Sequence, residues 1–459
     1  MSKIRNARCE NKVNPINVDT QSPRFSWQIV SDEHDVFQTW YRIVVKNGEQ
    51  TCWDSGKVES GQTFAVRYEG TPLVSREAYS WDIEAGLNTG EVLRSEEQTF
   101  ETVLFAPSEW HAAFIEPDKL PGLDYDPLEV YKEKWFACVQ RLLAGQDPEF
   151  FDTGEYLKSQ PHQPYYPAVM MYRKFTLEEV PEKARIYMTA HGIYKFYING
   201  KLASDAALEP EFTTYDKILK YQVYDVTALL TKGENAILVV VADGWYKGKI
   251  AYGFGCEYGD NPGLLLEMDV RLKGGKTFRL CSDETFLFSY DGPVRRADLY
   301  NGETIDGRCE IPAFATAQMN LEGWKPVHAV DADRNVLMAQ TDAPVRSLME
   351  LKPKRLFVNA KGETIVDFGQ NFAGHIRVEG IHAASGQEII FEHTEELDKD
   401  ETFIYPFLED VQQQRDVYIA GGKSDECFEP TLTYHGFRYV RVTTEPALEW
   451  KESQFTGVV

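Results

Sequence analysis

The sequence predicts an all-β protein of successive β-sandwiches joined by one short helical connector. Three observations carry that reading. Apolar and polar residues alternate in short runs along most of the 459 residues, the period-2 pattern of strands with one buried face. Clusters of Gly, Pro, Asn and Ser separate the runs. Only one stretch, beginning near Asp126, shows a helix start signal followed by an apolar 3.6-residue period.

Residues 1–104 contain "PRFSWQIV", "YRIVVKNG" and "AYSWDIEA" between turn residues. Tyr79 and Trp81 fall on one strand face with Leu73 shortly before them, a pattern that looks like the corner tyrosine of a fibronectin III-like or immunoglobulin-like sandwich. Residues 105–165 are rich in proline and form the connector. There Asp126 can cap a helix, Pro127 fits its first turn and Glu129 completes a capping box. Leu128, Tyr131, Trp135, Leu142 and Leu143 share one face, and Gly145 ends it. Over residues 166–343, "KARIYMTAHGIYKFYING", "NAILVVVADGWY" and "LLLEMDVRLKGGKTFRLCSD" predict a jelly roll, with Gly274-Gly275 as a two-residue hairpin signal. Residues 344–459 hold "ETIVDFG", "GHIRVEG", "QEIIFEHTE", "QRDVYIAGG" and "FRYVRVTT", read as the strands of a third sandwich with glycine turns between them.

Composition excludes several functions. Acidic residues number 72 against 48 basic, a formal net charge of −24, which repels nucleic acid and anionic membrane, and no basic stripe offsets it. No apolar run approaches the ~20 residues of a membrane span. "MSKIRNARCE" lacks the apolar stretch and cleavage site of a secretory signal. The seven cysteines are scattered, never in C-x-x-C spacing, and read as thiols in a reducing compartment. A cytoplasmic location is expected.

Catalytic motifs are missing from the sequence. There is no H-E-x-x-H, G-x-S-x-G, Walker loop or G-x-G-x-x-G. A carboxylate pair for glycoside hydrolysis cannot be selected among 72 acidic residues. "YNGETIDGR", with Glu303 and Asp306, and "EHTEELDKDE", with Glu392, Glu395, Glu396, Asp398 and Asp400, come closest. Turn geometry explains the first and a solvated strand end the second, so no catalytic residue is assigned.

Taken in order, "ARCENKVNPINVDTQSPRFSWQI", "WDSGKVES", "YINGKLASD", "YQVYDVTALLTKGENAI", "ADGWYKG", "YNGETIDGR", "DFGQNFAGHIRV" and "YHGFRYVRV" resemble successive signatures of the non-catalytic half of bacterial α-L-rhamnosidases, glycoside hydrolase family 78. The resemblance covers nearly the whole chain outside 105–165. It implies a fibronectin-like sandwich, a galactose-binding-like jelly roll and a further β-sandwich leading into an (α/α)6 barrel. The acid and base carboxylates of that inverting family lie on the barrel. Because this sequence stops at "QFTGVV", the resemblance implies an accessory, carbohydrate-binding portion of such an enzyme, truncated before its barrel. A free-standing carbohydrate-binding or scaffolding protein is the alternative. Truncation would leave an apolar patch facing the missing barrel, with Phe372 and Phe437 as its candidates and homo-oligomer formation or other association as its consequence.

Jelly rolls of this family include L-rhamnose-binding modules in which calcium helps to hold the sugar. A hard cation takes six to eight oxygens, some of which can be sugar hydroxyls, and a Trp face packs against the apolar side of the pyranose. The resemblance implies sugar contacts from Asp216 in "TTYDK", from Asp243, Trp245 and Tyr246 in "ADGWYKG", and from Asn261 in "YGDNPG". It implies calcium ligands at Asp216, Asp260 and Asn261. Lys217, beside Asp216, departs from that pattern.

Overall fold

In the computed structural model, residues 2–120, 140, 143–145, 166–250, 255–404 and 414–459 are described. Of the helix expected between Asp126 and Gly145 only the end is among them: Ala144 N–H donates to the Gln140 carbonyl at 3.0 Å, and Leu143, expected on the packed face, is 84% exposed; the rest of that helix and most of the connector lie outside.

The first sandwich follows from its alternation. Strand Gln38–Asn47 pairs antiparallel with Ala78–Leu87, and every second residue, including Ile43, Val45, Trp81 and Ile83, turns inward. They meet Phe25 and Trp27 from the sheet that pairs Lys3–Cys9 with Arg24–Val30. The Phe25 and Trp81 rings lie 4.4 Å apart. The Tyr79 hydroxyl accepts the Val74 N–H at 2.8 Å. The corner tyrosine thereby fixes the loop that enters its own strand.

The second sandwich is built from two sheets. One contains Phe114–Glu116, Pro181–His191, Leu219–Asp225 and Gly263–Leu272; the other contains Val169–Leu177, Ile193–Ile198 and Gly233–Ala242. Between them Met171, Ile186, Met188, Phe196 and Leu266 form the core. Strand Gly233–Ala242 is apolar almost throughout because both of its faces are covered. Ile237, Val239 and Val241 enter that core, while Ala236, Leu238 and Val240 pack outward against Ala297, Leu299, Ala315 and Leu432. The outer face of this sheet is therefore an internal boundary. The glycine pair does make a hairpin, with φ of +88° at Gly274 and +83° at Gly275. It is closed by Leu272 N–H to the Lys276 carbonyl at 2.7 Å, a wider loop than the two-residue turn expected.

The third sandwich departs from expectation at "DFGQNFAG". The structure places no turn there, because Thr364–Ile381 is one strand of 18 residues. Its pairing with His435–Thr444 shifts register between Asp367 and Phe372, the mark of a β-bulge. Gly369 adopts φ +81° and donates its N–H to Asp367 Oδ1 at 2.7 Å. Phe372 and Phe437 are also not the exposed patch expected: they are 8% and 0% exposed, with rings 4.3 Å apart, inside a core shared with Phe391, Phe428 and Phe455.

Strand pairing crosses the linear domain boundaries. Phe114–Glu116, from the connector segment, pairs with Gly263–Leu272. Gly302–Asp306 runs parallel to Arg415–Ile419, so a hairpin from the 166–343 segment belongs to the third sandwich's large sheet. Ala206–Ala207 pairs with Val345–Arg346. The second and third sandwiches thus share backbone hydrogen bonds and enclose a cleft.

Candidate functional site

The cleft begins with the alternation of Ile193–Ile198. Tyr194, Phe196 and Ile198 enter the jelly-roll core, which sends Ile193, Lys195 and Tyr197 to the opposite face. The neighbouring strand Gly233–Ala242 leads into a one-turn helix, Gly244–Lys247. Gly244 has φ +55°, and a Cβ there would stand 2.7 Å from the Ile193 backbone nitrogen. Only glycine lets the chain turn this tightly against Ile193, and the turn carries Trp245 to the cleft wall. The ring of Phe212 lies 6.0 Å from that of Trp245. Together with Lys195, Arg346, His375, Glu429 and Tyr434 they line a cleft of about 450 Å³. Its far wall is the bulged strand and the last strand of the third sandwich. These pack so closely that a Cβ at Gly374 would lie 1.9 Å from the Val458 carbonyl oxygen.

The carboxylates of the cleft are matched. His375 Nε2 lies 3.2 Å from Glu429 Oε1, and that hydrogen bond holds the Glu429 carboxyl below its ordinary range. Arg346 Nε donates to Asp205 at 2.9 Å, and Lys220 Nζ to Glu211 at 2.6 Å. Lys195 is different. It has no hydrogen bond or ion pair among the described residues, and burial lowers its ammonium pKa against the attraction of Glu303 and Glu429.

A second, buried polar network leaves only His393 Nε2 and His435 Nδ1 of its imidazole nitrogens without a hydrogen-bond partner. His393, Asp416 and His435 bring one ligand atom each within 4.8 Å of one another, the only such grouping of His, Cys, Asp and Glu among the described residues. His435 Nε2 is 3.1 Å from both Asp416 oxygens, so it donates to them. His393 Nδ1 donates to the Gln414 carbonyl at 3.0 Å. The two imidazoles stack at 4.3 Å with planes 25° apart. Asp416 also accepts the Glu303 N–H at 2.8 Å, and Glu303 accepts the Leu432 N–H at 2.8 Å. Burial, with the Asp416 charge adding to it, pushes the Glu303 carboxyl up to about 8. Burial and the neighbouring His435 push His393 down to about 3.

Three family models match this arrangement in order. They are the Rha78A-like N-terminal immunoglobulin domain over residues 4–106, the α-L-rhamnosidase N-terminal domain over 179–349, and the bacterial α-L-rhamnosidase concanavalin-like domain over 358–459. The chain belongs to the N-terminal β-region of the α-L-rhamnosidase family. An α-L-rhamnosidase from Formosa agariphila is 30% identical over 94% of this chain and 44% of its own length. One from Alteromonas sp. is 27% identical over 96% and 46%. The chain spans about half the length of the curated relatives it matches. Among solved structures, the α-L-rhamnosidase from Aspergillus terreus superposes with a TM-score of 0.84 at 28% identity, covering 100% of this chain and 49% of that one. That from Streptomyces avermitilis, in complex with L-rhamnose, has a TM-score of 0.85 at 23% identity, covering 100% and 57%, and shows the shared fold.

Within this rhamnosidase β-region, Trp245 is the one sequence-predicted residue that lines the cleft. Asp243 and Lys247 face each other at 3.1 Å, and burial raises the Asp243 carboxyl. Tyr246 stacks on His191 at 4.3 Å, with Phe114 on the other side of that imidazole at 4.6 Å. Asn261 donates to Glu116 at 2.8 Å and to the Pro117 carbonyl at 3.0 Å. Lys119 holds both Asp260 oxygens at 2.7 and 2.8 Å. Asp216 is exposed in a turn with Lys217 Nζ 4.0 Å away. A calcium ion needs convergent oxygens; of the three expected ligands, Asp260 has both oxygens held by Lys119, Asn261 spends its amide nitrogen on Glu116 and Pro117, and Asp216 stands exposed. The two acidic clusters are also occupied: Asp306 with Arg308 and Glu392 with Arg441. Sequence reasoning missed Lys195, His375, Glu429 and Phe212. The one available signal was a lysine on the outward face of the otherwise apolar "IYKFYI".

Proposed function

We propose that this chain is the accessory, non-catalytic β-region of an α-L-rhamnosidase and holds rhamnose-containing carbohydrate in the Trp245 cleft. The observation that carries this reading is the cleft itself. Two aromatic rings, Trp245 and Phe212, wall a concavity rimmed by polar side chains from both sandwiches, the mixture that sugars require: an apolar face for the ring and donors and acceptors for its hydroxyls. Among the described residues, the carboxylates that line the cleft, Asp205, Glu211 and Glu429, each have a basic partner in Arg346, Lys220 and His375. A one-sugar site offers few contacts, so L-rhamnose is expected to bind with a Kd on the order of 0.1–1 mM. Calorimetry with L-rhamnose and incubation with an aryl α-L-rhamnoside test the proposal. It predicts weak heat from the first and no turnover from the second. Turnover abolished by changing one carboxylate of this chain would overturn it.

A further inference from the structure

The cleft carries one ammonium that no described carboxylate contacts directly, although Glu303 and Glu429 attract it. Lys195 reaches it from the middle of an apolar strand, and among the described residues no hydrogen bond or ion pair meets its ammonium. Each candidate partner is committed elsewhere. Glu429 is bound by His375, Asp205 by Arg346 and Glu211 by Lys220. Glu303 is turned to the Leu432 N–H. A neighbouring cavity of about 280 Å³ also touches Lys195, and its Glu310 is paired with Lys423. A half-buried ammonium without a direct partner has lost part of its hydration, and Glu303 and Glu429 offset that loss only at a distance.

We infer that the carbohydrate held in this cleft carries a carboxylate, a uronate-bearing glycan, with Lys195 as its counter-ion and Trp245 as the platform for the ring. The inference rests on the cleft being the carbohydrate site proposed above. A sugar carboxylate within reach of Lys195 makes a charge-assisted hydrogen bond, while the hydroxyls use the rim. The cleft volume of about 450 Å³ lies within the range of small-ligand pockets.

The test compares methyl α-D-galacturonoside with methyl α-D-galactoside, which differ at the carboxylate, on the full chain by calorimetry. The acidic sugar is expected to bind about tenfold more tightly, with the preference shrinking as salt is added. Lys195→Met, which keeps the length of the stem, should abolish the preference, and Lys195→Arg should preserve it. Equal affinities in the unmodified chain, or a preference unchanged in Lys195→Met with an unaltered circular dichroism spectrum, would overturn this inference and leave the cleft standing as a neutral-sugar site. Absence of heat with both galactosides and with L-rhamnose would overturn the cleft reading and this inference with it.

Discussion

The Trp245 cleft and the His393–Asp416–His435 network set charged groups among the same apolar strands, yet they end differently. In the network each N–H meets an acceptor: His393 at the Gln414 carbonyl, and His435 and the Glu303 backbone at Asp416. The whole set is buried. In the cleft the carboxylates are paired but Lys195 is not. The contrast separates polar groups that hold the fold from one left for something outside it. Donors paired inside a sandwich serve the chain itself, whereas an ammonium without a direct partner beside an aromatic wall is open to a ligand's carboxylate.

The largest expected effect breaks the closed side. Asp416→Ala strips the acceptor from His435 and from the Glu303 backbone in a site that is 0% exposed, so it should cost about 3–5 kcal/mol. Lys195→Met removes no partner and should change stability by less than about 1 kcal/mol. Chemical denaturation followed for the third sandwich reads the first, and the same melt with Lys195→Met is its control. Equal costs would erase the distinction between the two regions.

Next in size is a pH effect inside the network. Glu303 has a folded pKa of about 8 against an ordinary value of 4.5, so the folded state keeps its proton where the unfolded state has lost it. Its contribution is fully present below 4.5 and declines as pH rises toward 8, and beyond that it is gone. Glu303→Gln keeps an acceptor for Leu432 and removes the titration. The variant should therefore gain on the unmodified chain with rising pH, by roughly 3 kcal/mol near neutrality. Denaturation curves collected from pH 5 to 8 check this, and parallel curves for the two proteins would show that Glu303 is ionised when folded.

Much of this contrast was hidden in the sequence for physical reasons. Strands such as "YRIVVKNG" and "NAILVVVADG" were legible because their periodicity is local, as was the corner tyrosine, whose partner Val74 is five residues away. "DFGQNFAG" was misread because a glycine at positive φ serves a turn and a bulge equally well. Only pairing with His435–Thr444 decides between them. Trp245 was visible beside its glycine. Lys195 was not, since one lysine on a strand face is ordinary until a second domain covers that face. His375 and Glu429 are 54 residues apart and meet only in the folded sheet.

The open side is sharpened by a smaller change. If Trp245 is the sugar platform, Trp245→Ala should weaken L-rhamnose binding by about 1–2 kcal/mol through lost apolar contact. Tyr246→Phe should leave it unchanged, because that ring is spent on His191. Titration calorimetry of both variants separates the neighbours, and equal losses would show that the helix Gly244–Lys247 acts as a scaffold and not through one exposed ring.

The smallest expected effect concerns calcium. A ligand that binds only the folded state raises stability by RT ln(1 + [L]/Kd), so a calcium site among Asp216, Asp260 and Asn261 would show as a melting temperature that climbs with added calcium. Here Lys119 already neutralises Asp260 at 2.7 and 2.8 Å, and Asn261 spends its amide nitrogen on Glu116, so added calcium or a chelator should leave the melt unmoved. Lys119→Ala frees the Asp260 carboxylate beside Asn261 and sharpens the question. A calcium-dependent rise in that variant alone would mean that the lysine takes the place of the cation. A rise in the unmodified chain would mean that Lys119 yields to calcium, and would place a second ligand-facing charge on the jelly roll besides Lys195.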